Sequence, residues 1–483
     1  MPAVTNPESH SVAVSEIESF VRGQMEKRRI PGLQAAVVRH GEIVFLGAYG
    51  VANIQDSIPV TDQTVFTINS ATKSFTGVAI MQLVEDGKLD LAATVAQYLD
   101  DLPEAWQRVT IQQLLIHTSG LPDIMDGNGN IVSNDGDEAA WALTQTLPVE
   151  FAPGEKFSYN QTNYLLLGRI IDKLSGQPFT QFIAERQFQV VGMPRTAESG
   201  FADSHDVILH SARGYSYFRK INGNFRRVDT LRNIVEDFPP FLRTGAGLYS
   251  TAQEIAHWII ALQQGKLLKP DNLKTLWTAG LLNDGSPAGF GALLNGYALG
   301  WPAALRDEHP AVAGIGGGRS GFFVYPQDDL AVVVLTNLQG SAPESFIDEV
   351  ASYYIPTMKA ATGFGLPRNI RMLRSVLMER GFDQAIAAFN EAKQQDPEFH
   401  LTEDQVNAWG YKLLQLEQPH DAIEVFKLNV SLYPESGNPY DSLAEGYEAI
   451  GEQALAIENY KRSLELNPEN TNAIDRLKEL EPN

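Results

Sequence analysis

Ser70 and Lys73 stand three residues apart in the stretch Thr67-Ile68-Asn69-Ser70-Ala71-Thr72-Lys73-Ser74-Phe75-Thr76-Gly77, and together they can do nucleophilic chemistry. Asn69 or Ser70 opens a helix whose apolar face is Phe75, Val78, Ala79 and Leu83, so Ser70 and Lys73 share one face, one turn apart. A hydroxyl attacks a carbonyl only when a neighbouring base takes its proton. A lysine serves where burial or nearby charge keeps it partly neutral, or where it passes the proton on. The helix N-terminus adds positive potential where an oxyanion forms. Alone the spacing is weak, since Ser-x-x-Lys arises by chance about once in a chain of this size. Taken alone, a capping serine beside a surface lysine is the better explanation.

Other chemistries are excluded more firmly. The chain has no cysteine, which removes disulfides, thiolate metal sites and cysteine nucleophiles. His205 and His210 are five apart, not a helical metal spacing, and nothing resembles His-Glu-x-x-His, so neither metal nor cofactor is expected. No Gly-x-Ser-x-Gly elbow occurs, and Gly316 to Gly318 lacks the Lys-Ser/Thr of a phosphate loop. The net charge of −22 is spread along the chain without a basic stripe, which argues against nucleic acid. No apolar run reaches the length of a membrane span. The first residues, Met1-Pro2-Ala3-Val4, show neither a basic n-region nor an apolar h-region. The expectation is a cytoplasmic protein, or a periplasmic or secreted one whose signal was removed.

The elements that must position Ser70 and Lys73 follow from periodicity. A helix is expected over about Ser15 to Arg29, with Ile17, Phe20, Val21 and Met25 on one face. Leu33–Arg39 and Glu42–Tyr49 read as a hairpin turning at His40-Gly41. Leu89 to Gln264 reads as mainly helical with polar loops. Strands return at Tyr297–Trp301, Gly321–Tyr325 and Leu330–Thr336, with a turn at Gln327-Asp328-Asp329, and a helix covers Glu344 to Tyr354. Strands near both ends with helices between them imply an α+β fold: one antiparallel sheet completed by both halves of the chain, flanked by helices, with a helical insertion.

Beyond Leu366-Pro367 the pattern changes. Ala385-Ile386, Ala422-Ile423 and Ala456-Ile457 recur at 37 and 34 residues, as do Phe389, Phe426 and Tyr460, and Pro397, Pro434 and Pro468. A period near 34 with small, aromatic and proline columns is the signature of tetratricopeptide-like helical hairpins. The expected organisation is an α+β domain at 10–360, a linker at 361–367 and an all-α repeat domain at 368–483. Two readings of the repeats stay open: a groove that recruits a protein partner, or a surface that packs on the first domain or self-associates.

Several blocks in order give Ser70 its context. Besides the Ser70 stretch they are Leu114-Leu115-Ile116-His117-Thr118-Ser119-Gly120-Leu121-Pro122, Pro153-Gly154-Glu155-Lys156-Phe157-Ser158-Tyr159, Tyr164 to Gly168, Gly245 to Thr251 and Val332 to Asn337. From about Ile17 to Tyr354 the sequence resembles the serine β-lactamase-related family, which includes class C β-lactamases, D-alanyl-D-alanine peptidases and related esterases. The resemblance implies an acyl-enzyme on Ser70, with Lys73 and Tyr159 moving protons and the amides of Ser70 and Gly318 forming the oxyanion hole. It gives His117 a structural role in its loop. The family's Tyr-x-Asn reads Tyr159-Asn160-Gln161 here, one methylene longer at its third position.

The family's Lys/His-x-Gly reads Ile315-Gly316-Gly317, so an apolar residue stands where a cation is expected. Gln161, Ile315, Gly317 and Arg319 are therefore the candidate substrate-binding residues, with Arg319 a possible replacement cation. Without a partner for a substrate carboxylate, a neutral ester fits better than a penicillin or a D-Ala-D-Ala peptide. The expected function is a serine hydrolase of esterase type. A β-lactamase, a D-amino-acid peptidase and a non-catalytic scaffold are the alternatives, and a small ester or amide is the expected partner.

Overall fold

The computed structural model describes residues 7–126, 130–133, 135–201, 206–221, 224–236, 238–291, 293–358, 367–415 and 418–481. The chain divides into two compact units, Met1–Ile355 and Pro356–Asn483. Of the expected linker, 361–366 lie outside the described residues.

The first unit is built on an eight-stranded sheet. Its spatial order is Ile58–Pro59, Glu42–Asn53, Gly32–Arg39, Leu330–Thr336, Ser320–Tyr325, Ala311–Gly316, Pro302–Ala304 and Gly296–Tyr297, antiparallel throughout. The two chain halves meet where Gly32–Arg39 pairs with Leu330–Thr336, Ala35 opposite Val334. Leu330–Thr336 is buried at every position, as its unbroken apolar run requires of a strand covered on both faces. Alternation sorts its neighbour: Phe322 meets Trp258 of the helix Ala252–Gln263, while Tyr325 reaches Asp348 of the helix Ile347–Ser352 on the other face. The expected hairpin turns at His40 (φ 53°) and Gly41 (φ 72°), two left-handed residues that match the twist of the strands.

Four expectations are corrected. The first helix runs Pro7–Arg28 and ends before Arg29, whose φ is 56°. The expected strand Tyr297–Trp301 is two short strands: Gly300 at φ 86° turns the chain, and Ala298 N bonds to Trp301 O at 2.7 Å. Glu344–Tyr354 is a 3-10 turn, Pro343–Ser345, followed by the short helix Ile347–Ser352. Finally, the region read as mainly helical contains a hairpin, Tyr215–Ile221 with Asn224–Asn233. Alternating aromatic and polar residues around Asn222-Gly223 are the hairpin signal that a helical reading overlooks.

The second unit is a run of seven helices among the described residues, from Arg368–Arg380 to Thr471–Leu480. The recurring residues have recurring environments. Ala385, Ala422 and Ala456 are buried, as are Phe389, Phe426 and Tyr460. Pro397, Pro434 and Pro468 each stand two residues beyond a helix ending at Gln395, Leu432 or Leu466, where a missing N–H and a fixed φ are tolerated. Phe426 lies against Gly410 and Gly446; a Cβ on Gly410 would come within 2.2 Å of its ring.

The helix carrying Lys73 is clamped in the first unit's core by aromatic stacking. Phe75 stacks on Trp258 at 3.9 Å, and Trp258 stacks on Trp301 at 5.6 Å. Phe75→Ala is expected to lower stability by about 3–5 kcal/mol, the usual cost of emptying a large core site, seen as a reduced denaturation midpoint by near-ultraviolet circular dichroism.

Candidate active site

Ser70 sits in a 3-10 turn, Asn69–Ala71, that leads into the helix Thr72–Glu85. The helix therefore begins slightly later than its apolar periodicity indicates. Thr72 Oγ1 donates to Asn69 O at 2.6 Å and ties the turn to the helix. Asn69 has φ 47°, a left-handed conformation that asparagine tolerates better than most side chains.

Lys73 is one turn on and only 1% exposed. Its Nζ donates to Gln161 Oε1 at 2.9 Å and to Gly245 O at 3.0 Å. It also lies 4.7 Å from the Tyr159 ring centroid and 4.9 Å from that of Tyr164. Two opposing effects act on its charge. Burial strips the ammonium of water, while the nearby Asp123 carboxylate favours the proton; burial prevails and pulls the group from 10.5 down to about 7. A neutral amine making both hydrogen bonds keeps its lone pair for a proton.

Tyr159 is buried beside the Ser70 and Gln161 side chains. Burial pushes its phenol well above the usual value, and these two neighbours pull it only part of the way back. Tyr159 is therefore a neutral phenol at neutral pH, and Lys73 is the group poised to exchange protons there. Gln161 accepts from Lys73 and lies beside Tyr159, so the longer amide reaches both side chains.

The loops that hold Tyr159 were quoted from the sequence as separate blocks. Asn160 caps the helix Gln161–Ser175 by accepting from Asn163 N at 3.1 Å, and its Nδ2 donates to Leu121 O at 2.6 Å. His117 Nδ1 accepts from Asn160 N at 3.1 Å, and its ring lies 4.4 Å from Tyr159. Burial and the nearby Lys73 charge hold His117 far below its usual value, so it is a neutral prop for the Tyr159 ring. His309 pairs with Asp328, and His205 lies outside the described residues.

The strand Ala311–Gly316 runs against the Ser70 turn. A Cβ on Gly316 would lie 2.1 Å from Ile68 O and 2.7 Å from Ser70 N, so no side chain fits. Ile315 is half-buried on this strand, opposite Gly321. Gly317 (φ 59°) and Gly318 (φ 61°) form the following turn. Gly318 O accepts from Ala342 N at 3.0 Å and from Ser341 Oγ at 3.1 Å. Arg319 is turned to protein partners: Nε donates to Asn69 Oδ1 at 3.2 Å, and Nη2 pairs with Glu236. The turn thus brings Gly317, Gly318 and Arg319 beside the Ser70 turn without leaving the guanidinium unpaired.

Four participants escaped the sequence reading. Gly245 supplies the second acceptor for Lys73, and Gly316 permits the close approach to Ser70. Both lie inside quoted motifs, which is the signal that could have found them. Asp123 accepts from Gln161 N at 3.0 Å and faces Lys73. Phe290 lies 5.1 Å from the Tyr159 ring and is 47% exposed. Neither has a local sequence signal.

Fold and site together define a class, the serine hydrolases built on the β-lactamase and penicillin-binding-protein fold. The chain belongs to the Beta-lactamase family, whose model matches residues 17–352. Over 357 residues it is 26% identical to Protein flp of Staphylococcus aureus (strain NCTC 8325 / PS 47), covering 72% of this chain and 68% of the relative. Over 250 residues it is 31% identical to the putative penicillin-binding protein PbpX of Bacillus subtilis (strain 168), covering 51% and 58%. The octameric penicillin-binding protein homologue from Pyrococcus abyssi superposes with a TM-score of 0.58 at 25% identity, over 75% of this chain and 81% of that one. Two structures share the fold at lower identity. D-amino acid amidase from Ochrobactrum anthropi SV3 has a TM-score of 0.58 at 23%, over 72% and 99%. EstCE1, a hydrolase with promiscuous acyltransferase activity, has a TM-score of 0.57 at 20%, over 74% and 99%.

With Lys73 as proton acceptor, activity is expected to rise with pH along a limb near 7, because the active form is the neutral amine. The kcat/KM profile of a neutral ester checks this. Lys73→Met should remove the limb and lower kcat by about 10²–10⁴-fold; a limb near 10 would show that Lys73 stays charged.

Proposed function

We propose that the protein is a carboxylic ester hydrolase working through an acyl-enzyme on Ser70. The observation that carries this reading is the buried Lys73 amine, brought to about 7 one helical turn from Ser70 and linked through Gln161 to Tyr159. Ser70 Oγ attacks the ester carbonyl and its proton passes to Lys73. The amides of Ser70 and Gly318 receive the oxyanion. On collapse the C–O bond to the alcohol breaks, and the proton returns through Tyr159 to the departing oxygen. Water, deprotonated by the same groups, attacks the acyl carbonyl and releases the acid and free Ser70.

Ile315 supports a neutral ester over a carboxylated substrate. The position where the family carries a cation is apolar, and the nearby Arg319 is already paired with Glu236. A penicillin or D-Ala-D-Ala carboxylate would lose water there without gaining a counter-charge. Retention of Ser70, Lys73 and Tyr159 argues against a purely non-catalytic scaffold. For the second unit we propose tetratricopeptide-like repeats that serve self-association or a protein partner, supported by the buried Ala and aromatic columns.

Short-chain p-nitrophenyl esters should be turned over by the wild type, and nitrocefin weakly or not at all. Ser70→Ala should abolish ester turnover. Tyr159→Phe should lower kcat by about 10²-fold while leaving KM near its original value. Strong nitrocefin cleavage would favour the β-lactamase alternative. Ester turnover unchanged in Ser70→Ala would falsify the nucleophile assignment.

A further inference from the structure

We propose that Arg319 is a positioning residue that locks the two halves of the oxyanion hole together through Asn69 and Glu236. The inference rests on the reading of Ser70 as nucleophile and deepens it.

Three side chains close a ring. Arg319 Nε donates to Asn69 Oδ1 at 3.2 Å, Arg319 Nη2 pairs with Glu236 Oε2, and Asn69 Nδ2 donates to Glu236 Oε1 at 3.0 Å. Thr67 Oγ1 adds a donor to Asn69 Oδ1 at 3.3 Å. The amide side chain is thus committed at both ends. This fixes Asn69 in its left-handed conformation. Asn69 directly precedes Ser70, so its φ and ψ aim the Ser70 amide.

Arg319 directly follows Gly318, whose amide is the other half of the hole. Its backbone is pinned as firmly as its side chain: Arg319 N donates to Gly316 O at 3.1 Å, and Arg319 O accepts from Thr336 N at 2.8 Å and Thr336 Oγ1 at 3.0 Å. Gly318 O is held from the other side by Ala342 N and Ser341 Oγ. Ser70 and Gly318 are far apart in sequence, and the Arg319–Asn69 bond crosses that gap one residue from each. Glycines make the room: a Cβ on Gly317 would meet Asn69 Cγ at 2.9 Å, and one on Gly214 would meet Arg319 Nη1 at 2.7 Å.

The chemistry of the ring sets its task. Arg319 is 2% exposed and its charge is balanced by Glu236, which leaves it poorly suited to receive a substrate carboxylate. A planar guanidinium offers several donors in a rigid fork and can bond Asn69 and Glu236 at once; an ammonium on a flexible stem holds the same geometry less well. Oxyanion donors act over a few tenths of an ångström on the intermediate and only weakly on the bound ester. Loosening the ring therefore acts on kcat.

The test uses the full chain with p-nitrophenyl butyrate, the same ester carrying a carboxylate, and an alkylboronic acid as an analogue of the tetrahedral intermediate. Arg319→Lys is expected to lower kcat for both esters by about 10- to 100-fold, to leave both KM values within about twofold, and to weaken the boronate by the same factor as kcat. Glu236→Gln keeps an acceptor for Asn69 and lies nearer the surface; it should show the same pattern at about 3- to 10-fold and carries the test if Arg319→Lys does not fold. Unchanged kcat in the folded variants would overturn the proposal, as would a KM increase confined to the carboxylated ester, which would make Arg319 a substrate receptor. A wild type that neither hydrolyses esters nor is labelled at Ser70 by a fluorophosphonate would overturn the hydrolase reading as well; an active wild type with unaffected variants overturns this inference alone.

Discussion

Everything at the candidate site depends on keeping a lysine amine away from water. An ammonium moved into a protein interior loses hydration worth several kcal/mol even after relaxation. At Lys73 that loss exceeds the compensation from Asp123, and the group settles near 7. The arrangement has a cost in stability. Between about 7 and 10.5 the unfolded chain binds a proton that the folded chain does not, so this site's destabilisation is fully present below about 7 and fades as pH rises through that window. The aromatic and aliphatic packing around the helix Thr72–Glu85 has to offset it, and Phe75, Trp258 and Trp301 stack there in succession.

The sheet supplies the second half of the site. Strands from both ends of the first unit pair along Gly32–Arg39 and Leu330–Thr336, and this closure carries the strand Ala311–Gly316 to the Ser70 turn. Contact there is so close that Gly316 has no space for a side chain. Antiparallel pairing brings the backbone of one chain half, at Gly316, against the Ser70 turn at the start of a helix from the other. A serine and a lysine on one helix need such a partner to become a hydrolase site.

The proposed substrate preference rests on charge accounting on the same hairpin. Ile315 contributes no charge, and Arg319 is paired within the protein. The shared fold of the amidase and of EstCE1 shows that this scaffold is common to proteins named for different substrates. Fold alone does not choose among them. The side chains beside Ser70 make that choice, and the proposal of an uncharged acyl partner rests on them.

Much of this was legible from residue types and spacing. Apolar runs such as Leu330-Ala331-Val332-Val333-Val334-Leu335 mark a strand covered on both faces wherever they occur, and Ser70 with Lys73 falls on one helix face by periodicity alone. The recurring Ala, aromatic and Pro columns likewise announce helical hairpins after residue 366. The hairpin Tyr215–Ile221 with Asn224–Asn233 was missed because helical neighbours on both sides outweighed a clear local turn signal. The sequence by itself determined most of the elements and the family, since these rest on short-range periodicity and on ordered motifs. Only the tertiary structure decided that Lys73 meets Gln161 across 88 residues and Gly245 across 172, and that Arg319 faces Asn69 across 250 instead of a ligand. The physical reason is that a proton affinity or an ion pair is set by burial and by partners remote along the chain, and neither is encoded in the spacing of near neighbours.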